Sequence, residues 1–102
     1  MRIISKKKLK EFWEAYPDSI DALQAWYAEV KAATWNNPIE IKEKYGSASI
    51  LKDSRVVFNI CGNNYRLVVK INYPYSVVYV RFVGTHKEYD RIDVTEVDYE
   101  RS

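Results

Sequence analysis

Hydrophobic residues recur with two different periods along the 102-residue chain. Near the start they follow the i, i+3, i+4 spacing of helix faces, first at Leu9, Phe12, Trp13 and Tyr16, then at Ile20, Leu23, Tyr27, Val30 and Thr34. The break Pro17-Asp18-Ser19 separates the two stripes. Two helices joined by so short a turn predict an antiparallel helical hairpin, with Arg2 to Ser5 as a short strand before it.

The period changes to two in the second half of the chain. After a helical turn or two over Ile39 to Tyr45, alternation predicts strands at Arg55 to Ile60, Tyr65 to Asn72 and Val77 to Val83. Turn residues Gly62-Asn63-Asn64 and Tyr73-Pro74-Tyr75 separate these strands. The predicted fold is α+β, in the order β-α-α-β-β-β, with the helical hairpin on one face of an antiparallel sheet. In the third strand, Val78, Val80 and Phe82 are assigned to the apolar face.

Composition is typical of a packed protein. Hydrophobic residues make up 47% of the chain and aromatic residues 15%, so we expect a single domain over residues 1–102. The one cysteine, Cys61, has no partner for an internal disulfide and lies in an apolar run, where a small buried residue is expected. No stretch has the length and apolarity of a signal peptide or membrane span, which predicts a cytoplasmic protein without a membrane partner.

The sheet face opposite the helices is predicted to bind anions. Alternation places on it four cations and two other polar residues, and no acid: Arg55, Asn59, Arg66, Lys70, Tyr79 and Arg81. Like charges on neighbouring strands repel unless an anion lies between them, and a polynucleotide backbone would meet that need. The alternative is a solvated face with an excess of positive charge.

His86 is the only histidine in the chain and follows the third strand directly. A helical turn beginning at Thr85 would place His86, Tyr89 and Asp90 on one side. Histidine is the side chain best suited to proton transfer near neutral pH. These residues beside Arg66 have the groups needed for metal-free RNA cleavage, in which the 2′-hydroxyl attacks the adjacent phosphate.

Each of these four residues has a candidate role. His86 would act as general acid or base, Tyr89 as its partner or as a hydrogen-bond donor to phosphate, and Arg66 as a two-point phosphate clamp. Asp90 would hold the imidazole tautomer or pair with Arg91 or Lys87. The alternative is that Thr85 caps a surface helix whose charged residues are solvated.

Other chemistries find little support in the residues. One histidine, unpaired Cys61 and the absence of clustered acids outside the tail provide neither a usual zinc site nor a strong two-metal site. The three glycines form no phosphate-binding loop. We therefore expect no metal and no cofactor.

Charge differs between the two ends of the chain. Residues 1–10 carry five cations and no acid, whereas residues 88–102 carry six acids and two arginines. A basic end suits a polyanion surface. Lys6, Lys7 and Lys10 face mostly outward from the first helical stripe, and with Lys87 they extend the predicted RNA-binding set beyond Arg55, Lys70, Tyr79 and Arg81.

The segments GNNYRLVVKINY and YVRFVGTHKEYDRID resemble the HigB branch of the RelE/ParE superfamily, the toxins of bacterial toxin–antitoxin modules. The resemblance extends from the opening IISKKKLKEFWEAYP through NPIEIKEKYGSASIL to the T-H-K-E-Y-D motif. It implies a RelE-like fold and a ribosome-dependent mRNA endoribonuclease, with a HigA-like helix-turn-helix antitoxin as its partner. The family's arginine, histidine and tyrosine then fall on Arg66, His86 and Tyr89.

Two alternatives of another class remain open from the residues. ParE-like relatives share the fold and bind DNA gyrase without cleaving anything, and a non-catalytic RNA-binding module would also explain a basic sheet face. The combination of His86, Tyr89 and Arg66 favours the enzyme, because binding alone needs no titrating group.

Overall fold

A computed structural model describes residues 1–98 of the chain. Residues 99–102, which include Glu100 and Arg101 of the acidic end, lie outside the described residues. The elements in chain order are β1 (Arg2–Ile4), α1 (Lys6–Ala15), a 3-10 turn (Pro17–Ser19), α2 (Ile20–Ala32), α3 (Pro38–Lys44), β2 (Ser49–Ile50), β3 (Arg55–Ile60), β4 (Tyr65–Asn72), β5 (Val77–Thr85) and α4 (His86–Tyr89).

The five strands form one sheet in the order β1-β5-β4-β3-β2. Neighbouring strands among β2 to β5 are antiparallel, which confirms the α+β class and the meander of the three long strands. The prediction of a purely antiparallel sheet needs one correction, since β1 pairs with β5 in parallel. A three-residue strand has no alternation from which its direction could be predicted, and the crossover through the helices sets it.

The helices pack on one face of the sheet, here called the first face, and the core lies between the helices and this face. Leu9 and Phe12 of α1 are buried there, as predicted from the first stripe. Leu23, Trp26 and Val30 of α2 are also buried, whereas Thr34 lies beyond the end of that helix. The Tyr65 hydroxyl donates to the Asp18 carboxylate at 2.5 Å, tying the turn between the helices to β4, and this hydrogen bond is the main reason that the pKa of Tyr65 is raised to about 12.

An irregularity in β5 changes the face of the sheet on which the residues after it lie. Val69 of β4 pairs with Val80, but Val68 pairs with Phe82, so Arg81 is an extra residue in β5. An extra residue of this kind reverses the alternation beyond it. The assignment of Phe82 to the core face was therefore wrong: Phe82 lies on the second face with Val68, and Val83 packs against the core instead.

Candidate active site

The second face of the sheet, opposite the helices, is built of three cross-strand rows. The upper row is Asn59, Arg66 and Gly84; the middle row is Val57, Val68 and Phe82; the lower row is Arg55, Lys70 and Tyr79. Positive charge is thus concentrated at the two ends of the face, with an apolar row between them. The predicted basic surface is therefore divided by an apolar row.

The segment after α4 folds back over part of this second face. Val57 and Val68 are almost completely buried although they face away from the helices. Arg55, 6% exposed, donates from Nη1 to the carbonyl oxygens of Val94 at 3.1 Å and Val97 at 2.8 Å. Alternation alone predicts an open face here, and the two valines among its polar residues, Val57 and Val68, are the signal in the sequence that part of it is covered.

Arg81 is held by the same segment. Its Nη1 lies 3.1 Å from Oδ1 of Asp98, and its guanidinium lies 5.0 Å from the centre of the Tyr79 ring. Both members of the ion pair are mostly buried, so the pair is screened less than a surface pair. Thus Arg55 and Arg81, both predicted to bind RNA, also fasten residues 94–98 to the sheet, and their contact with RNA stays a prediction.

Arg55→Ala is therefore expected to destabilise the fold. The substitution leaves two carbonyl oxygens without the donor they have in the native protein, at a cost of about 2 kcal/mol or more in the free energy of unfolding. Urea unfolding measures it. Lys70→Ala is the matched control, because Lys70 faces Arg55 across the strands but is exposed, and roughly 0.5 kcal/mol or less is expected. Equal unfolding midpoints for the two variants would contradict this role of Arg55.

At the upper row, β5 ends and α4 begins, and this junction positions His86. Thr85 is the N-cap: its hydroxyl accepts from the Glu88 backbone N–H at 3.1 Å, and the Glu88 carboxylate accepts from the Thr85 backbone N–H at 2.9 Å. This reciprocal capping box confirms the predicted cap. The His86 backbone N–H donates to Asn64 O at 3.1 Å, which anchors α4 to the β3–β4 turn.

Gly84 allows this junction to be compact. A Cβ at Gly84 would lie 2.5 Å from Cζ of Phe82 and 3.1 Å from Oε1 of Glu88, so any side chain would displace the ring or the capping carboxylate. The Phe82 ring therefore lies over Gly84, next to Arg66 in the same row. Close packing, rather than an unusual backbone angle, requires glycine here.

The four predicted catalytic residues form two contacting pairs at this end of the face. Nδ1 of His86 lies 3.3 Å from Oδ2 of Asp90, and more than half of each side chain is exposed. Cζ of Arg66 lies 5.9 Å from the centre of the Tyr89 ring. Since Arg66 is on β4 and Tyr89 on α4, the structure brings together residues 23 positions apart in sequence.

The guanidinium of Arg66 retains an edge suited to phosphate. Its Nη1 donates to the carbonyl oxygens of Asn63 at 3.0 Å and Tyr65 at 3.2 Å. Within residues 1–98, the side-chain hydrogen bonds of Arg66 all run through Nη1. The Nε–Nη2 edge therefore keeps the parallel donors that a two-point contact with phosphate oxygens uses.

The remaining predicted RNA-binding residues are more dispersed. Lys87 is exposed on α4, and Lys70 is exposed in the lower row. Lys6, Lys7 and Lys10 are exposed on α1, which packs on the first face, so they lie across the sheet from the candidate catalytic residues. Nζ of Lys6 lies 4.6 Å from the centre of the Tyr27 ring.

Comparison with known proteins identifies the family. The family model of the HigB toxin, described as the RelE-like toxic component of a toxin–antitoxin system, matches residues 19–92. The chain belongs to the HigB toxin family. The match includes β3, β4, β5 and α4, and with them the four candidate catalytic residues. A HigB toxin acts within a toxin–antitoxin system, so an antitoxin is its partner.

Named relatives of this HigB family member extend the match to most of the chain. The mRNA interferase toxin HigB of Escherichia coli strain K12 is 34% identical over 92 residues, which is 88% of each chain. The mRNA interferase HigB of Shigella flexneri has the same identity and coverage. That of Escherichia coli O6:H1 is 29% identical over 94 residues, covering 90% of this chain and 91% of the relative.

The described residues provide three further facts about the HigB fold in this chain. Between residues 1 and 98, no helix has the length and apolarity to span a membrane. In the same range, no three His, Cys, Asp or Glu side chains converge as a metal site would require. Cys61 is half-buried and packs against the core, and its Sγ lies 3.6 Å from the Asp18 carbonyl oxygen.

Proposed function

We propose that this HigB family member is an mRNA interferase, an endoribonuclease that cleaves message on the ribosome. The observation that carries the proposal is that two pairs of side chains meet at one end of the sheet. His86 contacts Asp90 at α4, and Tyr89 of the same helix contacts Arg66 of β4. Proton transfer and phosphate binding are the two requirements of cleavage by the 2′-hydroxyl. Relatives that are 34% identical carry the name mRNA interferase.

In the proposed reaction the 2′-hydroxyl oxygen attacks the adjacent phosphorus, and the bond from phosphorus to the 5′-oxygen of the next nucleotide breaks. One proton leaves the 2′-hydroxyl and one is added to the departing 5′-oxygen, so the products are a 2′,3′-cyclic phosphate and a 5′-hydroxyl. His86 transfers one of these protons as acid or base. Arg66 stabilises the negative charge on the phosphorus centre.

Asp90 and Tyr89 support these two roles. Asp90 is assigned the role of holding the imidazole proton on Nδ1, since its Oδ2 lies 3.3 Å from that nitrogen, and Nε2 would then exchange protons with RNA. The Tyr89 hydroxyl donates to a phosphate oxygen or completes the acid–base pair, while its ring orients Arg66. Since a site that only binds needs no oriented imidazole, this arrangement favours cleavage over gyrase binding or passive RNA binding.

The test is to map message ends after induction in growing cells. New ends within translated regions are expected with the wild-type chain, and co-expression of a HigA-like antitoxin should remove them. Blocking translation initiation before induction should also remove them if cleavage requires the ribosome. Growth arrest without any new ends would contradict the nuclease and select a binding mechanism.

The exposed lysines of α1 are proposed to contact ribosomal RNA. Reversing charge in Lys6→Glu, Lys7→Glu and Lys10→Glu together should weaken ribosome association and reduce its dependence on salt, because released counterions produce that dependence. Co-sedimentation with ribosomes at several salt concentrations measures both quantities.

The matched control for this triple variant reverses the charge of three other exposed lysines by the same replacement with glutamate. These are Lys31, Lys44 and Lys52, and the net charge changes by the same amount. This control should retain most of the wild-type association. If both triple variants weaken association to the same degree, net charge and not the α1 surface is responsible.

A further inference from the structure

Tyr65 is the first residue of β4, and its buried side chain packs on the first face of the sheet beside the turn between α1 and α2. Its ring meets that of Phe12 edge-on, with the ring centres 5.2 Å apart. Its hydroxyl donates to Oδ1 of Asp18 at 2.5 Å. The side chain therefore ties the start of β4 to the helical hairpin.

The backbone of Tyr65 contacts the proposed catalytic residues. Its carbonyl oxygen accepts from Nη1 of Arg66 at 3.2 Å, and the carbonyl oxygen of Asn63 accepts from the same nitrogen at 3.0 Å. Because a guanidinium is planar, two acceptors on Nη1 fix the direction of its Nε–Nη2 edge. The position of residues 63–65 therefore sets where Arg66 can hold a phosphate.

The same three residues also hold the histidine half of the site. The carbonyl oxygen of Asn64 accepts from the His86 backbone N–H at 3.1 Å, and Tyr65 pairs across the strands with Thr85, the N-cap of α4. Arg66 and His86 thus share one short support. A distortion within residues 63–65 moves the guanidinium relative to the imidazole, and catalysis depends steeply on such placement.

The turn before this support has a disfavoured backbone. Cys61 and Gly62 have positive φ angles of 55° and 67°, and the first of these is unfavourable because Cys61 has a side chain. The hydrogen bond that closes the turn, from Asn64 N–H to Cys61 O, is long at 3.3 Å. Asp18 contacts this region twice, through the Tyr65 hydroxyl and through its own carbonyl oxygen, 3.6 Å from Sγ of Cys61. These contacts from outside the turn stabilise one arrangement of it.

We propose that Tyr65 and Asp18 are positioning residues for RNA cleavage: their hydrogen bond fixes the start of β4 and thereby the place of Arg66 relative to His86. This inference rests on the proposed nuclease function. The Tyr65 side chain is buried in the core, on the face of the sheet opposite Arg66, so it acts without touching RNA. The helical hairpin contributes to the active site through this hydrogen bond.

The test is single-turnover cleavage of message on programmed ribosomes at saturating ribosome concentration. Tyr65→Phe keeps the buried ring and removes only the hydroxyl; it should lower the rate by roughly tenfold, less than the 10²-fold that a misplacement of about 1 Å can cost. Ribosome association should stay near the wild-type value, since no group that contacts RNA is removed. Asp18→Ala should lower the rate to the same degree, whereas Asp18→Asn keeps an oxygen that accepts from the hydroxyl and should retain most of the rate.

Tyr45→Phe is the matched control. The Tyr45 hydroxyl also donates to a carboxylate of the helical hairpin, that of Glu29 on α2, and the Tyr45 ring packs against Trp35 and Phe58. The same atom is removed while the β3–β4 turn keeps its contacts, so the rate should stay at the wild-type value. An equal loss of rate in Tyr45→Phe and Tyr65→Phe would indicate general loosening of the core and overturn the inference.

Arg66→Ala provides the readout that distinguishes positioning from support of the fold. Without the guanidinium there is nothing for Tyr65 to position, so adding Tyr65→Phe should lower the remaining rate of Arg66→Ala by less than about twofold. If the full loss caused by Tyr65→Phe persists in this background, the positioning role is excluded.

Cleavage by the wild-type chain separates this inference from the proposed function. No cleavage by the wild type would overturn the proposed function, and this inference with it; equal cleavage by the wild type and Tyr65→Phe would overturn the inference alone. Thermal unfolding shows whether each variant is folded. Should Tyr65→Phe unfold, Asp18→Ala and Asp18→Asn decide the result, since Asp18 is exposed and both variants keep the tyrosine in the core.

Discussion

Replacing His86 by alanine is expected to slow RNA cleavage by about 10² to 10⁴-fold, the usual contribution of a general acid or base. The same substitution should change the free energy of unfolding by no more than roughly 0.5 kcal/mol, because the side chain is more than half exposed and its backbone anchors the helix. Single-turnover cleavage of message on programmed ribosomes measures the rate, and thermal unfolding measures stability.

Arg91→Ala is the matched control for His86→Ala. Arg91 is a charged, exposed residue directly after α4, outside the proposed catalytic and binding residues, and its replacement should leave the rate near the wild-type value. Asp90→Asn adds a second readout: it should lower the rate less than His86→Ala, since the imidazole remains but loses the carboxylate that orients it. Wild-type cleavage by a folded His86→Ala protein would exclude His86 from the chemistry.

Arg66→Ala should reduce the cleavage rate by about 10²-fold or more, because it removes a planar donor aimed at charge that develops in the transition state. Arg66→Lys should recover only part of this loss, since it restores the positive charge without the Nε–Nη2 edge. The same single-turnover assay measures both variants, and the effect should appear in the rate constant at saturating ribosome concentration.

Lys70→Ala separates this role of Arg66 from general electrostatics. Lys70 is a cation on the same strand and the same face, but lies two rows away from Arg66, so its loss should weaken substrate binding more than it slows the chemical step. Similar small losses for Arg66→Ala and Lys70→Ala would indicate diffuse attraction of RNA. Circular dichroism of Arg66→Ala checks that the β3–β4 turn, where Nη1 binds two carbonyl oxygens, is preserved.

Local pattern alone determined most of the secondary structure. The apolar stripes of α1 and α2, the alternation of β3 and β4, and the cap at Thr85 each lie within a few residues of sequence, where side-chain spacing and backbone preference act directly. His86 stood out because it is the only histidine, and its contact with Asp90 follows from i, i+4 spacing on one turn. The α+β class followed from the change of period.

Tertiary structure decided which side chains share the second face and what covers it. One extra residue at Arg81 moved Phe82 from the core side to the proposed RNA side, and alternation cannot reveal a bulge because its register depends on the partner strand. Arg55 looked like a surface cation, yet the returning segment buries it against the carbonyl oxygens of Val94 and Val97, about forty residues away. The contact of Arg66 with Tyr89 likewise exists only because β4 and β5 pair, since long-range pairing sets distances that sequence spacing does not encode.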